Sequence, residues 1–258
     1  MPWTIAHHTW LFYALMLALG GGVLGSLTIG GLHFFKQSGV RRANYFYGAL
    51  LICAGLTLLH NMLILSAFYT HYPHYKFFPI YLTLAFPPLL FYHVKLNAYP
   101  AYRLRWTDAK HFLLPLGQWL FFWRILLSDN EYKALADRYF YHPFYGALEQ
   151  AIYIVLFMAY LYFAWRYIRQ RAGHTRTHKE RKQIWYLRKL VKGLWLLFAI
   201  HAAFCLTDFI AYEVFYINLR TVKLFVGLGA LSYAALVYWL TVYGFQVLLW
   251  GRKVFGRA

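Results

Sequence analysis

The chain has 258 residues, of which 61% are hydrophobic and 22% aromatic, while only 13% carry a charge. A soluble domain of this size typically carries about 25% charged residues, so the composition excludes a dispersed globular protein. The formal charge of +18 would point to nucleic acid in a soluble chain. Here the Lys and Arg residues fall between apolar runs, where they serve as topology signals and contacts to anionic lipid headgroups, and direct nucleic-acid binding is not expected.

Seven apolar runs cover about 9–35, 45–68, 79–96, 111–127, 145–167, 190–217 and 221–250. Most reach the roughly 20 residues with which a helix crosses about 30 Å of hydrocarbon. Their continuous hydrophobicity excludes a membrane β-barrel, whose strands alternate. The first run is too long for a signal peptide and no basic stretch precedes it, so it reads as a retained helix. The expected fold is all-α: one polytopic domain over 1–258, a seven-transmembrane-helix bundle. Lys36, Arg41 and Arg42 follow the first span, and Lys95, Arg103, Arg105 and Lys110 follow the third. Arg166, Arg169, Arg171, Arg176, Lys179, Arg181, Lys182, Arg188 and Lys189 follow the fifth, and Arg252, Lys253 and Arg257 form the tail. This alternation predicts an outside N-terminus and a cytoplasmic C-terminus. A bacterial cytoplasmic (inner) membrane is the expected location.

Polar groups inside spans mark the candidate site, because they are costly there and face a bundle interior or a watery cavity. In the sixth span His201, Cys205, Asp208 and Tyr212 recur at helical spacing and form one stripe, predicted to face inward. His60 and Asn61 lie above the middle of the second span. Glu149 and Gln150 open the fifth, and Arg124 closes the fourth. By depth, His60, Asn61, Arg124, Glu149, Gln150, His201, Asp208 and Tyr212 meet in the outer half of the bundle. Two readings of them stay open: interhelical hydrogen bonds with an Arg124–carboxylate pair, or a ligand-binding pocket open to the periplasm. A haem or metal site on His60, His93, His111 or His201 is a third, although no cofactor is predicted. His93 and His111 lie near the cytoplasmic end, so the four histidines do not share one site.

The run His174-Thr175-Arg176-Thr177-His178 has the spacing of an iron cluster, but membrane di-iron enzymes need several such clusters on the cytoplasmic face. The one adjacent histidine pair, His7-His8, is on the outer side, so the run reads as a solvated basic loop. Cys53 and Cys205 sit inside spans as small buried residues rather than a disulfide or metal pair. Gly21 and Gly25 form a small-xxx-small pair suited to packing within the bundle or to a homodimer. Ten basic residues and one acid lie between Arg166 and Lys192. Ile184, Leu187, Leu190 and Val191 form a helical face there, so the sixth helix is expected to begin before the membrane, near Lys179. Its basic face suits headgroups or an acidic cytoplasmic partner.

Pro79 opens the third span, followed by Phe86-Pro87-Pro88-Leu89-Leu90-Phe91-Tyr92. A loop leads to Asp108-Ala109-Lys110-His111-Phe112-Leu113-Leu114-Pro115. These motifs resemble the membrane-embedded seven-helix sensor half of AraC-type transcription regulators, and Tyr243-Gly244-Phe245-Gln246 is similar to that family's exit from the last helix. Pro87 stands where the family has Gly, and the family's cytoplasmic DNA-binding domain is absent up to Ala258. Pro87 and Pro88 are expected to kink the third helix, and Asp108 to cap the fourth. The resemblance implies a receptor-like sensor of an envelope signal that relays to a cytoplasmic partner or dimer. A membrane redox or metal enzyme using the His/Asp/Glu set, or a structural subunit, is the alternative. No catalytic residue is assigned.

Overall fold

The computed structural model describes residues 10–37, 39–174 and 177–255. Thr175, Arg176, His7 and His8 lie outside them, as does Arg257. The described residues are helical throughout, without strands. The helices are α1 (Trp10–Phe35), α2 (Arg41–Leu65), α3 (Phe68–His71), α4 (Phe86–Ala98), α5 (Leu113–Leu126), α6 (Asn130–Ala136), α7 (Gly146–Ala172), α8 (His178–Glu213) and α9 (Lys223–Phe255). Five of them are long and apolar enough to cross a membrane: α1, α2, α7, α8 and α9. With seven predicted spans, the third and fourth are the ones that fall short. Counting about 1.5 Å per residue, α4 and α5 measure only about 20 Å.

α4 is short because its predicted first half is not α-helical. Residues 79–82 turn, Thr83–Ala85 form one 3₁₀ turn, and the helix proper begins at Phe86. Pro87 and Pro88 therefore do not kink a helix; they start one. In a first turn their missing N–H groups would have had no intrahelical acceptor anyway. Side chains from neighbouring helices satisfy the preceding irregular backbone. Thr57 of α2 accepts the Leu82 N–H at 3.0 Å and bonds the Ile80 carbonyl at 3.4 Å, and Gln118 of α5 accepts the Leu84 N–H at 3.2 Å. Backbone at membrane depth is tolerated when protein buries and satisfies it.

α4 is buried along nearly its whole length. It packs between α7 and α2 and closes a ring in which α2, α1, α9, α8 and α7 follow one another, each packed on the next. α5 lies outside the ring, leaning on the Thr83–Ala85 turn, with Leu113, Leu114, Leu116, Trp119 and Leu120 exposed. Glycines let α1, α2 and α9 approach closely. A Cβ on Gly21 would meet the Tyr238 hydroxyl at 2.7 Å, and one on Gly25 would meet Thr241 at 3.3 Å. The Gly21–Gly25 pair is thus used inside the bundle, against α9.

The two ends of the bundle differ. At the end carrying most of the Lys and Arg, α8 starts at His178 in front of its apolar stretch, as expected. Thr177 accepts the Glu180 N–H and Glu180 accepts the Thr177 N–H, both at 3.3 Å, a reciprocal cap. Asp108 is not at an N-cap but inside the 3₁₀ turn Trp106–Phe112, where it accepts the Arg105 N–H at 2.8 Å. At the opposite end the connections 66–85, 127–145 and 214–222 are irregular. They hold all three left-handed non-glycine residues among those described, Ala67, Phe77 and Tyr216. A π-helical stretch, Asp137–Tyr145, joins α6 to α7. Pro143 brings no N–H to the ladder of that stretch. Lys76 pairs with Asp137 at 2.5 Å and Lys133 reaches the His74 carbonyl at 2.9 Å, clasping two of these connections together.

Candidate functional site

The most costly group in the membrane-embedded part is Glu149, in the first turn of α7 and only 3% exposed. A buried carboxylate needs donors, and an ion pair is the usual solution. Here the donors are neutral. The Gln118 side-chain amide donates to Oε1 of Glu149 and, at 3.2 Å, to the Thr83 hydroxyl. The Tyr141 hydroxyl lies 3.5 Å from Oε2. Because the Gln118 carbonyl is engaged by the Leu84 N–H, the orientation of its amide is set. Gln118 thus ties α7 to the joint ahead of α4 and to α5. The π stretch before α7 belongs to the same arrangement, since it brings Tyr141 back over Glu149; such irregularities recur at functional sites.

Arg124 does not take part. It is exposed on α5, donates to Ser128 at 3.0 Å and lies over the Tyr132 ring at 5.8 Å, so the predicted Arg124–carboxylate pair is not formed. Six residues separate Arg124 from Gln118, about 120° around a helix, so the two cannot serve the same neighbour. Gln118 was missed by the sequence reading. Its one signal is that it is a lone carboxamide within the otherwise apolar run 113–123.

A second polar group joins α7, α8 and α9 in the same half. His201 Nδ1 lies 3.0 Å from the Ser232 hydroxyl, which itself donates to the Gly229 carbonyl at 2.7 Å. The ring must therefore donate from Nδ1, leaving Nε2 as an acceptor for the Cys205 thiol at 3.6 Å. Gln150 hydrogen-bonds the Cys205 sulfur, and Asp208 follows one turn further along α8. Aromatic rings lie between the two groups: Tyr153 packs edge-on against Phe86 at 6.1 Å and Phe198 at 5.5 Å, and the Tyr233 ring is 5.3 Å from His201. Tyr153 is buried and its hydroxyl has no hydrogen-bond partner. It lines a narrow apolar cavity with Tyr233, Phe86 and Leu90, with room of about 10 Å³, that of a single water.

The structure thus brings Glu149, Gln150, His201 and Asp208 into one half of the bundle, and His60 to its edge. His60 Nδ1 bonds the Tyr69 hydroxyl at 2.9 Å, and its ring packs on Tyr81. Burial pushes the Tyr69 phenol, in the connection beyond α2, up to about 12. Asn61 is half-buried beside His60. Tyr212, predicted to face the interior, is 55% exposed, and Asp208 is half-buried. The inward stripe of α8 ends near His201 because the helix leaves its neighbours before it terminates at Glu213.

The four histidines named for a metal or haem have four separate sets of partners. His93 bonds the Ala43 carbonyl at 2.9 Å and His111 bonds the Tyr160 hydroxyl at 2.5 Å, both toward the basic end. Among the described residues no three metal-ligating side chains converge.

The two motifs of the third and fourth spans meet at the basic end. Asp108 accepts from Tyr92 at 2.8 Å and from Tyr102 at 2.9 Å, and Lys95 stands 4.0 Å away with its ammonium over the Tyr102 ring at 3.7 Å. Burial works against the Asp108 carboxylate, but the Arg105 N–H, the two phenols and Lys95 together hold it below the ordinary carboxylate value. No protein-family model, curated protein or solved structure matches the chain.

Proposed function

We propose that this chain is a seven-span, receptor-like domain of a bacterial inner membrane that detects a signal on the outer side and relays it to a cytoplasmic partner. α4 and α5 supply the two shorter spans, lengthened by their 3₁₀ turns. In this reading the N-terminus is outside and the basic end is cytoplasmic, because Lys and Arg concentrate there.

The observation that carries the reading is the asymmetry between the ends. One end has irregular joints, a π stretch and a buried carboxylate held by neutral donors, all linked through Gln118. The other is locked by close glycine contacts and an ordered polar knot at Asp108. Irregular, polar segments form elements that rearrange, while continuous helices transmit such a shift as rigid bodies. α7 and α8 reach from the first end to the second, and they carry Glu149 and His201. The resemblance to AraC-type sensor domains agrees with this reading, since its two motifs touch through Tyr92 and Asp108. With room for about one water, the centre of the site would have to open to admit a ligand.

Hydrogen exchange on the full chain in lipid nanodiscs tests the relay, with pH, divalent cations and osmolytes as stimuli. A stimulus that alters exchange at residues 73–85 and 137–149 should also alter it at 173–182, and Gln118→Leu should uncouple the two. Change confined to the outer end under every stimulus would overturn the relay.

A further inference from the structure

We propose that the basic end of the α7–α8 seam binds one anionic phospholipid, its phosphate held by Arg169, Arg188, Lys189 and Lys192. The site rests on the bundle lying in a bilayer and is independent of the sensing role. α8 has 36 residues, about 54 Å at about 1.5 Å each, against about 30 Å of hydrocarbon. Its first turns therefore stand among the headgroups.

One exposed stripe runs up α8: Trp185, Lys189, Lys192, Leu196 and Ile200, at spacings of 4, 3, 4 and 4. Its lower part is cationic and aromatic. Its upper part is apolar, with Leu196 65% and Ile200 45% exposed. That order, charge first and hydrocarbon above, matches a phospholipid standing upright against the helix.

The neighbouring helix completes the collar. Lys192 reaches across to α7, its ammonium 5.8 Å from the Trp165 ring, and Arg169 is exposed one turn from Trp165. Lys189 lies 5.8 Å from the Trp185 ring. The two indoles are suited to the interface at which headgroups sit.

The four cations have no carboxylate of their own. The nearest acid in sequence, Glu180, is engaged by Arg171 at 3.1 Å, and none of the ion pairs among the described residues includes Arg169, Arg188, Lys189 or Lys192. Arg188 adds the most specific signal: its Nε is buried and has no hydrogen-bond partner. A buried N–H of a guanidinium without an acceptor is costly, and a phosphate oxygen is its natural complement.

Native mass spectrometry of the full chain, released from detergent with phosphatidylglycerol or phosphatidylcholine, tests the site. Retained phosphatidylglycerol is expected, with little phosphatidylcholine and no competition by inorganic phosphate. Arg188→Gln/Lys189→Gln/Lys192→Gln should reduce retention about tenfold or more, as three headgroup-level charges are lost. Arg41→Gln/Arg42→Gln, exposed at the start of α2 and away from the seam, should leave it unchanged. Should the triple variant fail to fold, Lys192→Gln alone, at an exposed position, should still lower retention several-fold. Equal retention of the two lipids, displacement by inorganic phosphate, or equal losses in collar and control variants would overturn the proposal.

Discussion

At the scale of single residues, Gln118 has the largest consequence. It satisfies Glu149, Thr83 and the Leu84 N–H at once. Replacing it with Leu leaves a buried carboxylate and a buried N–H without their partner, a loss of about 1–3 kcal/mol. Arg124→Gln, at an exposed position, should stay within about 0.5 kcal/mol. Thermal melting of both variants in one detergent checks the pair; equal losses would mean that Arg124 supports the carboxylate after all. Asp108 makes a pH prediction with a definite sign. Its folded-state value lies below the ordinary 3.8, so its stabilisation is present above that value and is lost as pH falls through the lower one. Melting temperature against pH should therefore fall on the acid side, and Asp108→Asn should flatten that fall while lowering stability at neutral pH.

At the scale of elements, the irregular joint before α4 and the close helix contacts behave oppositely on substitution. A Cβ on Gly193 of α8 would run into the Trp239 ring, whose Nε1 donates to the Leu190 carbonyl at 3.2 Å. The indole cannot retreat without breaking that bond. Gly193→Val should thus destabilise by about 1–3 kcal/mol through overpacking, whereas Gly31→Val, with nothing near its Cβ position, should fold as the parent does. Size-exclusion profiles of fluorescent fusions after heating would separate the two. The same elements show what the sequence made legible. Helical periodicity gave the start of α8 within a residue or two, because its cap and its apolar face are both local signals. The start of α4 was misjudged. A Pro pair reads equally well as a kink or as a first turn, and the choice depends on Thr57 and Gln118, which arrive from other helices to bond the non-helical backbone.

At the scale of the whole molecule, the strong expectation is sidedness. A reporter active only in the cytoplasm should work when fused after Ala258, and a cysteine at Ser128 should be labelled by a membrane-impermeant reagent from outside. The reverse pattern would invert the proposed receptor, moving Glu149 and its joints to the cytoplasmic half. The test carries this weight because the joints before α4 and α7 lie at one end of the bundle, where Lys76 pairs with Asp137.

By itself the sequence determined that this is an all-helical chain of apolar segments, with its basic residues gathered in alternate connections and several costly polar groups within the helices. Those properties are local, set by hydrophobic length, charge and periodicity. Which polar groups meet was decided only by the tertiary structure. Depth along a helix does not specify the direction in which a side chain points, so Arg124 was read as the partner of a carboxylate and Gln118 was passed over. The packing of α5 on the Thr83–Ala85 turn chose between them. The tertiary structure also turned Tyr212 out of the bundle and kept the four histidines apart, because each depends on the rotation of one helix against its neighbour.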